Sequence, residues 1–120
     1  MKRFLGTCAL ALFLAVPAMA TEPQLTAKVV DKSRPGDITA SVMVDVQNVE
    51  LVDPASVQEQ PKEGQGHLHY QVDDGFMIAT TAKKLSFHGL KPGEHTFKVM
   101  LAQNNHAPAG PQQTLTFKSA

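Results

Sequence analysis

From residue 38 onward, hydrophobic and polar positions alternate with a period of two, the signature of half-buried β-strands. Ile38, Ala40, Val42, Val44 and Val46 interleave with Thr39, Ser41, Met43, Asp45 and Gln47. A shorter strand candidate, Leu25 to Val30, precedes them across a turn at Ser33-Arg34-Pro35-Gly36-Asp37. Residues 53–66 hold Pro54, Pro61, Gly64, Gly66 and several charges, and read as a long loop. His67 to Asp73 predicts the next strand, and Asp74-Gly75 is a hairpin signal that returns the chain into Phe76 to Thr80. Leu85 and Phe87 mark a short strand before a corner at Leu90-Lys91-Pro92-Gly93. Within Glu94 to Ala102, Phe97, Val99 and Leu101 face one way while Thr96, Lys98 and Met100 face the other. Leu115 and Phe117 alternate with Thr114 and Thr116 in a last strand. About seven short strands separated by turn signals, with no helix-period segment, predict an all-β fold. The expected form is a two-sheet antiparallel immunoglobulin-like sandwich, with a small closed barrel as the alternative.

The first twenty residues follow another pattern. Met1-Lys2-Arg3 is basic, Phe4 to Val16 is apolar, and Ala18-Met19-Ala20 is a small-residue cleavage site, as in a secretory signal peptide. The apolar stretch is shorter than the roughly 20 residues a membrane-spanning helix needs. Cleavage would leave residues 21–120 as one domain, periplasmic or secreted and free of the membrane. The single cysteine, Cys8, lies in the expected leader, so the domain is expected to hold together through its core without disulfides. The chain carries 11 basic and 11 acidic residues, and loss of Lys2 and Arg3 leaves nine basic ones, a formal charge of −2. No basic stripe interrupts this balance, which argues against nucleic-acid binding.

The chemical lead is His67-Leu68-His69. On a strand, both imidazoles project from one face, opposite Leu68, Tyr70 and Val72. Metal–nitrogen bonds of about 2.0–2.1 Å let such a pair share one ion. In the usual sandwich order the strand of His67 lies antiparallel to that of Glu94–Ala102. Met100 then approaches the pair, and His106, in the loop Gln103-Asn104-Asn105-His106-Ala107-Pro108, hangs above it. The candidate ligand set is therefore His67, His69, His106 and Met100. Imidazole suits copper, zinc, nickel or iron, and a thioether tilts the choice toward Cu(I), so copper is expected first and zinc second. Such binding should weaken below about pH 6, because protonated imidazole cannot ligate. The competing reading leaves these histidines as exposed polar residues on a wet sheet face.

His95 shares parity with Phe97, Val99 and Leu101 and follows Pro92-Gly93, so it reads as an inward corner residue bonded to the backbone. His88 is expected to be solvated in a turn. Asp73-Asp74 is explained by its turn and offers too few oxygens for a calcium site. No Ser/His/Asp order, nucleophile elbow or phosphate loop is present, so no enzyme is expected. The expected role is sequestration, delivery or sensing of a transition-metal ion. A non-catalytic module that recognises a periplasmic protein or a glycan is the alternative.

Gly64-Gln65-Gly66-His67-Leu68-His69-Tyr70-Gln71-Val72-Asp73 resembles the G-x-GH-x-H…D segment of a family of small exported bacterial immunoglobulin-like domains. Leu90-Lys91-Pro92-Gly93-Glu94-His95 and Asn104-Asn105-His106-Ala107-Pro108 resemble that family's L-x-PG-x-H and N-x-H-x-P segments, and the likeness runs from about residue 38 to 118. The resemblance implies export and an immunoglobulin-like sandwich, and it carries no activity. A His-x-His strand is also similar to copper–zinc superoxide dismutases. Residues 21–120 lack their disulfide cysteines and second metal loop, so that activity is not transferred.

Overall fold

The alternating segments pair into two sheets. A computed structural model describes residues 22–57 and 60–119; the expected signal segment lies outside the described residues. Eight strands follow in order: β1 (Gln24–Asp31), β2 (Ala40–Gln47), β3 (Glu50–Leu51), β4 (Gln65–Val72), β5 (Met77–Thr80), β6 (Lys84–Phe87), β7 (Glu94–Ala102) and β8 (Pro108–Lys118). β2 lies between β1 and β6 in one sheet. In the other, β7 lies between β4 and β8, while β3 and β5 share the far edge of β4 one after the other. Neither sheet closes on itself, so the barrel alternative does not hold.

The inward parities meet between the sheets. Val42 and Val44 from β2, Leu68 and Tyr70 from β4, and Phe97, Val99 and Leu101 from β7 are all buried. Phe97 sits between Phe87 of the smaller sheet and Phe117 of its own, with ring centroids 5.3 and 6.4 Å away, within the range of favourable aromatic pairs. The Tyr70 hydroxyl donates to the Ala82 carbonyl at 2.6 Å, which satisfies the one polar atom this ring brings into the core. Burial pushes its pKa up to about 12.

Three details depart from the sequence expectation. Among the described residues the strands number eight, because Glu50–Leu51 pairs with Gln65–Gly66 at the end of the expected 53–66 connection; this pair is parallel, so the larger sheet is not purely antiparallel. A strand of two residues shows no alternation from which to predict it. The hairpin turn runs one residue earlier than Asp74-Gly75. Gly75 N–H donates to Val72 O at 2.8 Å, and Asp73 and Asp74 occupy the centre with φ of 50° and 62°, as a type I′ turn requires. Last, β8 begins at Pro108, well before Leu115. Proline lacks an N–H to donate, and β8 is an edge strand, where that lack is tolerated.

Candidate metal centre

β4 carries His67 and His69 on one face, and β7 runs antiparallel beside it with His67 opposite Ala102 and His69 opposite Met100. The adjacency expected of these two strands is therefore present. Past Ala102 the chain turns back tightly. Gln103 N–H donates to Ala107 O and His106 N–H to Gln103 O, each at 2.8 Å, and Ala107 N–H donates to the Asn105 side chain at 3.0 Å. His106 itself has a φ of 69°, in the left-handed region that costs a non-glycine residue on the order of 1 kcal/mol or more. This turn directs its ring back over the β4 pair.

The three rings converge on one point. His67 Nε2 lies 2.9 Å from His69 Nε2 and 3.2 Å from His106 Nδ1, and the latter two nitrogens are 3.4 Å apart. Hydrogen bonds account for at most two sides of this triangle. A neutral ring nitrogen is either a donor or an acceptor. Among three such atoms at least two are of the same kind, so at least one close contact sets like against like. An ion at the centre would be within reach of all three nitrogens. Tetrahedral ligands at about 2.0–2.1 Å stand about 3.3–3.4 Å apart, close to the separations found.

Burial is graded across the cluster: His67 is 0% exposed, His69 is half-buried and His106 is exposed. The wet face of the competing reading is thus absent at His67. The His106 ring lies against it, and the residues after β3 run alongside, where Val52 N–H donates to Gly66 O at 2.8 Å. Burial is the main reason the pKa of His67 falls to about 4, helped by the nearby His69 and His106 and opposed by Asp53. Burial, then His106, also lowers that of His69. The ordinary histidine value behind the pH 6 expectation therefore does not apply to these two rings, where proton competition starts lower. Met100, half-buried across from His69, shares their face; directly opposed residues have Cβ atoms about 4.5–5.5 Å apart.

Two residues that the sequence marks only as members of a segment have a specific place at the site. Gly66 lies so close to β7 that a Cβ on it would stand 2.5 Å from the Ala102 carbonyl oxygen. Only glycine lets β4 approach β7 at the rung beside His67. Asn104 is 2% exposed and donates from Nδ2 to Gln65 Oε1 at 3.2 Å. Its neighbours in a turn-like Asn-Asn-His run carry no mark that one asparagine is buried.

The other histidines serve the fold. His95 is mostly buried at its corner, with Nε2 donating to Lys91 O at 2.7 Å and Nδ1 donating to the Asp73 carboxylate. The corner position and the bond to the backbone expected of it are what the geometry presents. His88 is exposed as expected, and its ring also meets Thr39 Oγ1 at 3.1 Å. Both His95 partners are acceptors, so the charged ring is favoured: the Asp73 bond, then the Lys91 carbonyl, raise its pKa. The bond from His95, then that from Thr96 N–H, lower the pKa of Asp73.

The signs of these shifts set a window. The His95 contribution is complete below the unfolded value of about 6.5 and is lost as pH rises through the raised folded value; the Asp73 contribution is present above about 3.9 and lost as pH falls through the depressed one. Asp73→Asn, which keeps a residue tolerant of positive φ, should therefore cost most near pH 5, by about 0.5–1 kcal/mol. The difference from the parent should narrow as melts are taken up to pH 9; a gap that widens with pH would contradict the pairing.

The chain matches no protein-family model and no curated protein.

Proposed function

We propose that this is an exported metal-binding protein, periplasmic or secreted, whose His67, His69 and His106 hold one transition-metal ion. Copper is the first choice and zinc the second. The observation that carries this reading is the triangle of ring nitrogens at 2.9, 3.2 and 3.4 Å, at most two sides of which can be hydrogen bonds and all of which a shared ion fits. Met100 serves as a soft fourth ligand and favours Cu(I). The two sheets belong to an immunoglobulin-like sandwich, in which β4 and β7 are the central strands of one sheet. The role is sequestration, delivery or sensing rather than turnover.

The test is titration of metal-free protein with Cu(II), Cu(I) and Zn(II), followed by buffer exchange and elemental analysis. One retained equivalent is expected, lost in His69→Ala while the fold persists. No retained ion under any of the three, or retention unchanged in His69→Ala, would overturn the reading.

A second reading, an interaction module, draws support from β5. This edge strand and its approach expose Phe76, at 90%, together with Met77 and Ile78. Exposed apolar edges are places where another chain adds on. Co-purification of a periplasmic protein with metal-free protein would favour it.

A further inference from the structure

Two buried polar side-chain atoms find no hydrogen-bond partner among the described residues: His67 Nδ1 and Asn104 Oδ1. Their positions are related. Gln65 and His67, two residues apart on β4, project from the same face. Asn104 is bonded to the Gln65 side chain, and it lies two residues beyond Ala102, the rung partner of His67. Their chemistry is complementary as well. When Nε2 of a neutral imidazole ligates an ion, the hydrogen resides on Nδ1, which becomes a donor; an asparagine Oδ1 is an acceptor only.

We infer that Asn104 is the positioning residue of the metal centre: with the ion on Nε2, its Oδ1 accepts the Nδ1–H of His67, directly or through one bridging water. This rests on the metal-binding reading above. Metal-bound histidines as a rule donate their second N–H to such a partner, which fixes the tautomer and the ring's orientation. His106 is exposed and His69 half-buried, so solvent can serve their second nitrogens. His67 is sealed, and only a protein group or a trapped water can serve it. Asn104 in turn is held by Gln65, which makes a chain from β4 through the loop and back to the ligand on β4.

The experiment measures affinity for Zn(II) and, under reducing conditions, for Cu(I), by chelator competition in the parent, Asn104→Ala and Asn104→Asp. Both ions are diamagnetic, so ¹H–¹⁵N spectra of the His67 ring are read in the same samples, and metal-free melting reports any loss of fold. The expected result is a 10- to 100-fold weakening in Asn104→Ala, the range typical of lost partners to ligating histidines. Affinity should return to the parent value or better in Asp, whose carboxylate accepts the same N–H. In the loaded parent, His67 Nδ1–H should appear as a slowly exchanging proton, and it should be lost or shifted in Asn104→Ala. The inference is overturned if the Ala variant binds within threefold of the parent, if Asp weakens binding as much as Ala, or if the loaded parent shows no such proton. A parent that binds neither ion overturns the metal reading itself. Should the Ala variant fail to fold, the Asp variant and the parent spectrum decide.

Discussion

Gly66→Ala is expected to destabilise the protein by about 2–3 kcal/mol, the upper part of the range for forcing an extra carbon into a packed site. The new Cβ would stand 2.5 Å from the Ala102 carbonyl oxygen and 3.5 Å from Leu101 Cδ1. The first of these is backbone, fixed in the β4–β7 ladder, so no side-chain rotation relieves it. The strands must part at the rung where His67 faces Ala102. For a domain of this size, each kcal/mol lowers the melting temperature by about 4–8 °C, so a drop of about 10–20 °C is expected. Parting the strands also moves His67 away from the His106 turn, and metal affinity should fall by about tenfold or more with it, since small misplacements of a ligand matter at such bond lengths. Gly64→Ala is the control. Nothing lies within 4 Å of its added carbon, and only its φ of 84° is unfavourable, so it should cost about 1 kcal/mol and leave the site intact. A Gly66→Ala protein that melts within 2 °C of the parent would contradict the contact.

His67→Leu should abolish metal binding and, in metal-free protein, improve acid stability. The buried imidazole is kept neutral, with its pKa pushed down to about 4. An unfolded chain takes up that proton near pH 6.5, while the folded one resists until about pH 4. Stability present above pH 6.5 is therefore lost progressively as pH falls through that interval, on the order of 3 kcal/mol in total. Leucine has no proton to take, so its acid limb should be flatter by that amount. At pH 7.5 the exchange removes an imidazole with an unpaired buried nitrogen and fills its space with carbon, so the two proteins should agree to about 1 kcal/mol. Chemical denaturation in the presence of a chelator, from pH 7.5 to 4.5, should show the parent losing stability relative to His67→Leu as pH falls. Parallel curves would mean that His67 is not held neutral by the fold.

Much of this architecture was legible in the pattern of side chains. Period-two alternation marked β2, β4 and β7, and the parity of His67, His69 and Met100 followed from it. The adjacency of β4 and β7 needed a topology, which the usual sandwich order supplied. What escaped prediction depends on contacts distant in sequence. Glu50–Leu51 forms a strand only because Gln65–Gly66 lies alongside. The turn at Asp73-Asp74 slips by one residue because aspartate tolerates positive φ and the Asp73 carboxylate, once there, accepts hydrogen bonds from Thr96 N–H and His95. The covering of His67, the need for glycine at 66 and the burial of Asn104 all arise where three separate segments meet, and no local signal announces them.

The three ring-bearing positions are not equivalent in how they are mounted. Two sit on adjacent same-face rungs of a ladder secured on both edges, whereas the third hangs from a five-residue turn whose strained φ is compensated by its own hydrogen bonds. An incoming ion would thus meet groups already converged, and little chain entropy would be lost on capture. Departure would be asymmetric: the exposed ring would detach first, leaving the ion on His67, His69 and Met100 and open on one side. A competing donor would enter by that side, so exchange should proceed by stepwise substitution, with a rate that depends on the acceptor's concentration.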